Sequence, residues 1–160
     1  MRKILLLGLL VLTLSFCKGS PHSPEVPEVP QYDTYTVQLQ IGVAGVSSPT
    51  YVFNVYGGTN DVLLTVLTIP AGDAGTGTVN VSASFEMLET SSEETFPVKW
   101  TLISCSYGPS WASGADFTYW MTVVPVSSGI TVDPTTQQRA HTHGWNIGDV
   151  KQLTFKIKKS

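Results

Sequence analysis

The chain has 160 residues, with nine Lys/Arg against twelve Asp/Glu and a formal net charge of −3. Mild acidity of this size argues against a nucleic-acid partner, which needs a basic face. Charged residues are only 13% of the chain, well below the usual share of about one quarter, and the abundance of Thr, Ser, Val and Gly suits an exported β-protein rather than a helical bundle.

Arg2 and Lys3 start the chain with positive charge, and Ile4 to Leu14 is an apolar run of eleven residues broken only by Gly8 and Thr13. A bilayer span needs about 20 such residues. The shorter run is the size of the central region of a secretory signal peptide, so export is the expectation. The run leads into Leu14-Ser15-Phe16-Cys17, which resembles the lipobox of bacterial lipoproteins; Phe16 stands where that family usually has Gly, Ala or Ser. The resemblance implies cleavage before Cys17, acylation of that residue by chains such as palmitate, and a membrane anchor in the cell envelope, with the outer membrane expected. Buried acyl CH₂ groups contribute about 0.8 kcal/mol each, and more than one chain gives stable attachment. The alternative is an ordinary secretory signal cut before Ser20, giving a secreted protein.

Cleavage before Cys17 leaves 144 of the 160 residues, enough for one well-filled domain, with seven basic residues against twelve acidic ones. The chain then divides into a signal peptide (1–16), a lipidated Cys17 with a Pro-rich tether (17–31) and a single β-sandwich domain (32–160). In the tether, prolines at 21, 24, 27 and 30 repeat every third residue. Polyproline II has three residues per turn, and proline blocks both helix and sheet, so the segment reads as an extended spacer. His22 within it reads as solvated. With Cys17 acylated, Cys105 has no disulfide partner and reads as a small core residue.

From Tyr32 the sequence alternates. Tyr35, Val37, Leu39, Ile41 and Val43 share one parity against Thr36, Gln38 and Gln40, the period of a half-buried strand. A turn is expected at Gly45 to Pro49, followed by a strand through Tyr51, Phe53 and Val55. Asp61 to Ile69 is more continuously apolar and is expected to be a strand buried on both faces. After the break at Pro70 to Gly75, Val79, Val81, Ala83, Phe85 and Met87 alternate with Asn80, Ser82 and Ser84. The stretch TIPAGDAGTGTVNVS resembles hairpins of bacterial immunoglobulin-like β-sandwiches, which bears on fold and carries no catalytic implication.

Glu86, Glu89, Glu93 and Glu94 are expected to form a solvated acidic connection, since their spacing is not that of a calcium loop. Phe96, Val98, Trp100 and Leu102 alternate next, with Trp100 expected in the core. A Gly/Ser/Pro-rich loop, 106–115, precedes a strand from Asp116 to Val126 that is large on both faces: Phe117, Tyr119, Met121 and Val123 on one, Trp120, Val124 and Val126 on the other. A short strand at Ile130 and Val132, a long polar connection over 135–149, and a last strand through Leu153, Phe155 and Ile157 complete the chain; Lys151, Lys156 and Lys158 are read as its basic outer side. Seven or eight strands without an amphipathic helix predict an all-β fold, a single antiparallel β-sandwich with immunoglobulin-like topology as the first expectation.

Three groups of residues are candidates for function. His141 and His143, two apart in extended backbone, would present both imidazoles to one metal, with Asp133 and Asp149 in reach. Tyr107, Trp111 and Trp145 lie in loops, where flat rings can stack on a sugar or grip a protein ligand; the alternative is that they fold back to cap the sandwich. Hydrolase, Walker and Rossmann signatures do not occur, so no catalytic residue and no cofactor are assigned and the chain is not expected to be an enzyme. The expectation is an envelope-anchored lipoprotein of binding or adhesion type, recognising a glycan or a protein. The alternatives are a structural or accessory subunit of a surface assembly held through strand edges, and a periplasmic metal-binding protein using His141 and His143.

Overall fold

The computed structural model describes residues 28–47, 49–110, 116–141 and 145–160, with the backbone alone at 46, 47, 73, 74 and 141. The leader, Cys17, most of the tether, Trp111 and His143 lie outside the described residues. Nine strands follow one another: β1 (Tyr32–Ser47), β2 (Tyr51–Gly57), β3 (Val62–Ile69), β4 (Gly72–Leu88), β5 (Glu93–Cys105), β6 (Phe117–Pro125), β7 (Ile130–Asp133), β8 (Thr136–His141) and β9 (Val150–Lys159). They form a four-stranded sheet in the order β4-β1-β6-β8 and a five-stranded sheet in the order β3-β2-β5-β9-β7. Every pairing within them is antiparallel. The chain is thus an all-β, two-sheet sandwich.

The alternation read from the sequence is what builds the core. Val37, Leu39, Ile41 and Val43 of β1 are wholly buried, and Phe53, Val55, Val98, Trp100, Phe155 and Ile157 meet them from the facing sheet. Removing one such side chain from water is worth about 1.5–3 kcal/mol. Aromatic edges lock the layer: Phe85 packs against Phe96 and Phe155 at centroid distances of 5.0 and 5.3 Å. Trp100 lies in the core, tilted against Tyr119 at 5.3 Å.

Three expectations are corrected. The apolar run of β3 is not a central strand buried on both faces; it is an edge of the five-stranded sheet, with Val62, Leu63 and Val66 each more than half exposed. A bulge between Val55 and Tyr56 of its partner strand, where Leu64 is left over in the register, shifts the facing of the strand's first residues. The polar connection after Pro134 contains a strand, β8, and with it the count rises to nine. TQQRAH shows no apolar alternation because β8 is an edge strand, exposed along most of its length. Lys151 does not join the outer basic row; it pairs with Trp100, on the inward parity of β9.

Candidate functional site

The two sheets turn chemically different faces to solvent. On the five-stranded sheet, acids and bases pair. Lys99 reaches Asp61 at 2.6 Å, Lys156 reaches Glu93, and Lys158 bridges Asp133 at 3.1 Å and Glu93 at 3.6 Å. The register explains the ladder: Glu93 of β5 and Thr131 of β7 both lie opposite Lys158, and Asp133 lies opposite Lys156. The Lys156 ammonium, donating to Glu93, holds that carboxyl below the usual range, while Asp133 raises Lys158. At the sandwich margin Lys159 donates to Asp33 at 2.8 Å, lowering Asp33 and raising Lys159.

The outer face of the four-stranded sheet is built differently. Residues that alternate with the core positions form rows across β4, β1, β6 and β8: Thr78–Gly42–Trp120–Gln138, then Asn80–Gln40–Thr122–Thr136, then Ser82–Gln38–Val124. Beyond them lie Ser84 opposite Thr36 on one side and Thr76–Ala44–Thr118–Ala140 on the other. None of these side chains is charged. Glu86, opposite Thr34, stands at the margin, and Arg139 belongs to the other parity of β8, opposite Tyr119.

Trp120 is the one aromatic ring in these rows, and Gly42 explains its pose. A β-carbon added to Gly42 would overlap Cε2 and Cζ2 of the indole, so the ring lies directly on the glycine backbone. The indole covers the gap that glycine leaves in the sheet, and the residue is half-buried. Hydroxyls and amides surround it. Ser82 Oγ donates to Gln38 Oε1 at 2.8 Å, and Thr36 and Ser84 share a hydrogen bond at 3.3 Å. Thr122 and Thr136 meet at 3.4 Å. The side-chain amides of Gln40, Asn80 and Gln138 engage no partner among the described residues.

The sequence candidates fare unequally. Trp145 is not a loop aromatic at the surface but a core residue with no exposed area. Its ring meets Phe53, Phe117 and Tyr119 at centroid distances of 5.2–5.5 Å, and Nε1 donates to the Asp149 carbonyl at 3.1 Å. The turn Asn146 to Asp149 folds the indole inward: Asp149 Oδ2 accepts from the Asn146 backbone N–H, and Gly148 takes a φ of 93°. This is the capping arrangement, and it removes Trp145 as a ligand platform. Tyr107, in the turn after β5, is 55% exposed. Cys105 is buried.

His141 ends β8 opposite Phe117, and its pairing with His143 lies outside the described residues. The two carboxylates expected near the histidines are engaged elsewhere: Asp133 accepts from Lys158 on the other sheet, and Asp149 closes the turn just described. Among the described residues no group of three or more metal-ligating side chains assembles.

A groove of about 690 Å³ opens where β3 and β4 part, lined by Val62, Leu63 and Leu64 on one side and Ser82 to Glu86 on the other. Glu94 in its lining accepts from the Leu88 N–H at 2.9 Å.

Trp120 was the residue that pattern reading missed. Its parity in β6 was legible, with Val124 and Val126 on the same face, but a strand large on both faces does not say which face meets the core. The usable signal was Gly42, which interrupts the polar face of β1 and invites a cross-strand aromatic. No protein-family profile, curated protein or solved structure matches the chain.

Proposed function

We propose that this chain is an exported, lipid-anchored envelope protein, held in the outer membrane through Cys17, whose β-sandwich head is a non-enzymatic binding module. The tether of prolines spaces the head from the membrane, and the head takes its ligand on the outer face of the four-stranded sheet. One observation carries the binding face: the indole of Trp120 is seated on Gly42 on the outward parity of β6, half-buried, among hydroxyls and amides that bear no charge. Aromatic rings that are rigid and amphipathic are efficient contact groups because little conformational entropy is lost on binding.

The anchor is tested by intact mass of the membrane-extracted protein. A chain beginning at acylated Cys17 is expected, and Cys17→Ser is expected to shed it from the membrane; a mature protein that starts at Ser20 without lipid overturns the anchor. The binding face is tested with the detergent-extracted full chain on insoluble wall material. Adsorption is expected to fail in Trp120→Ala and to persist in Lys156→Ala/Lys158→Ala. Equal adsorption of all three overturns the face.

A second reading has its own support in β3. Its exposed Val62, Leu63 and Val66 form an uncharged edge without the lysines or prolines that usually guard such strands. In this reading the chain is an assembly subunit joined to a further copy of itself, since two β3 edges can meet antiparallel with no like charges opposed; Asp61 beside the strand is already paired with Lys99. Sedimentation of the detergent-extracted chain separates the two: a dimer that Val66→Lys dissolves supports the subunit, and a monomer at all concentrations removes it.

A further inference from the structure

We infer that the outer face of the four-stranded sheet is a carbohydrate site, and that its ligand is a neutral glycan chain lying across Trp120. The inference rests on the binding-module reading above and names the ligand class for that face. Three ligand chemistries could use an exposed indole: a nucleobase, a protein side chain and a pyranose ring. Each makes a different demand on the surroundings.

A nucleic acid brings one phosphate per nucleotide and needs Lys or Arg along its path. The rows around Trp120 contain neither, and the charge at their margin is the carboxylate of Glu86. A protein partner needs an apolar centre ringed by polar groups. Here Val124 is the one other large apolar side chain in the rows, four residues along β6 and 53% exposed, and Val126, 60% exposed, follows it beside Thr36 at the margin, a line of side chains rather than a ringed centre. A charged polysaccharide would likewise look for counter-charge. A neutral sugar needs an aromatic plane for its C–H face, plus closely spaced groups that both donate and accept hydrogen bonds at its hydroxyl edge. Thr78, Asn80, Gln40, Thr122 and Gln138 stand in the rows of Trp120 and the next one, and the three amides have donors and acceptors to give.

The geometry adds a reach. Neighbouring strands lie about 4.8 Å apart and successive outward residues about 7 Å apart along a strand. Rows three and four strands wide therefore offer a bed on the scale of several linked sugars, with the indole among its inner positions. The bed is preformed, because the ring is seated on Gly42 by the sheet itself.

The experiment is native affinity electrophoresis of the detergent-extracted full chain in gels cast with hydroxyethylcellulose, galactomannan, xylan or dextran, and in parallel with alginate and heparin. The expected result is retardation by at least one neutral polymer, an apparent Kd weakened about tenfold or more in Trp120→Ala, and partial recovery in Trp120→Tyr, which keeps a plane. A circular-dichroism melt confirms that each variant is folded. Retardation by alginate or heparin alone, lost in Trp120→Ala, overturns the neutral class and leaves the binding face standing. Migration in all six gels unchanged by Trp120→Ala overturns the carbohydrate inference, while Trp120-dependent adsorption to wall material judges the binding face separately.

Discussion

Two aromatic residues of β6, three positions apart, sit against two glycines of β1. Phe117 faces Gly45, and Trp120 faces Gly42. In both pairs a β-carbon on the glycine would strike the ring, at 2.8 Å for Phe117 Cδ1 and in outright overlap for Trp120. The local device is the same: an aromatic side chain covers the hole that glycine leaves in a sheet. The difference lies above the ring. Phe117 points inward, where Tyr51 and Phe53 meet it edge-on at 4.8 and 5.3 Å. Trp120 points outward and ends a layer, among Thr, Asn and Gln. One ring is enclosed by the core and the other stays half-buried on the outer face. Parity alone decides which of two aromatics in one strand joins the core and which turns toward solvent.

The largest effects should fall on the inner ring and its neighbours. Phe117→Ala and Trp145→Ala each leave a cavity in the aromatic cluster, and each is expected to cost about 3–5 kcal/mol in denaturant unfolding. Loss of less than about 1 kcal/mol for Trp145→Ala would mean that its ring can leave the core and would reopen it as a ligand group.

The glycine pair sharpens the comparison. Gly45→Ala forces a methyl group onto a ring that cannot retreat, with an expected loss of about 1–3 kcal/mol. Gly42→Ala meets a ring free to lift, so its stability loss should be smaller, about 1 kcal/mol or less, while adsorption and glycan retention weaken because the seat of Trp120 is gone. If the two alanine variants lose equal stability and Gly42→Ala binds normally, the distinction between inner and outer ring collapses. Trp120→Ala itself should cost about 1 kcal/mol or less and weaken retention about tenfold or more.

The smallest effect concerns the ion pairs of the five-stranded sheet and of the sandwich margin. Glu93 and Asp33 titrate below ordinary carboxylates because Lys156 and Lys159 donate to them. Their contribution to stability is therefore present above the normal carboxylate range and is lost as pH falls through the depressed values of the folded state. Lys158 and Lys159 are raised, so their contribution holds below the ordinary lysine value and is lost as pH rises through the raised one. None of the four is buried, and the expected fall in melting temperature on acidification is slight and weaker in salt. Glycan retention should be flat in salt and over the neutral pH range, since the binding rows hold no titratable group. Retention that follows the melting curve instead would tie the site to the ion-paired face.

Much of the framework was legible. Val37 to Val43, Val79 to Met87, Phe96 to Leu102 and Leu153 to Ile157 alternate so strongly that their core parity could be read directly, and the sheets bury those residues, Val79 and Val81 in part. β8 was hidden because TQQRAH has no buried side to impose a period on it. β3 misled for the opposite reason: its apolar run is what a central strand looks like, and only pairing with β2 on one side shows it to be an edge. Trp145 could not be assigned from its polar neighbours, because the turn that folds it inward is made of those same polar residues, Asn146 and Asp149.

The amino-acid order determines the all-β character of the chain and the parity of nearly every core strand, and it supplies the expectation of an export leader with a candidate lipid site, because these depend on periods and runs within a few neighbouring residues. The tertiary structure decides which parity faces the partner sheet, which strands become edges, and which aromatics turn toward solvent. Those outcomes depend on cross-strand register. Gly42 and Trp120 are 78 positions apart in the chain and directly opposite in the sheet. No local pattern joins them; the β1–β6 pairing does.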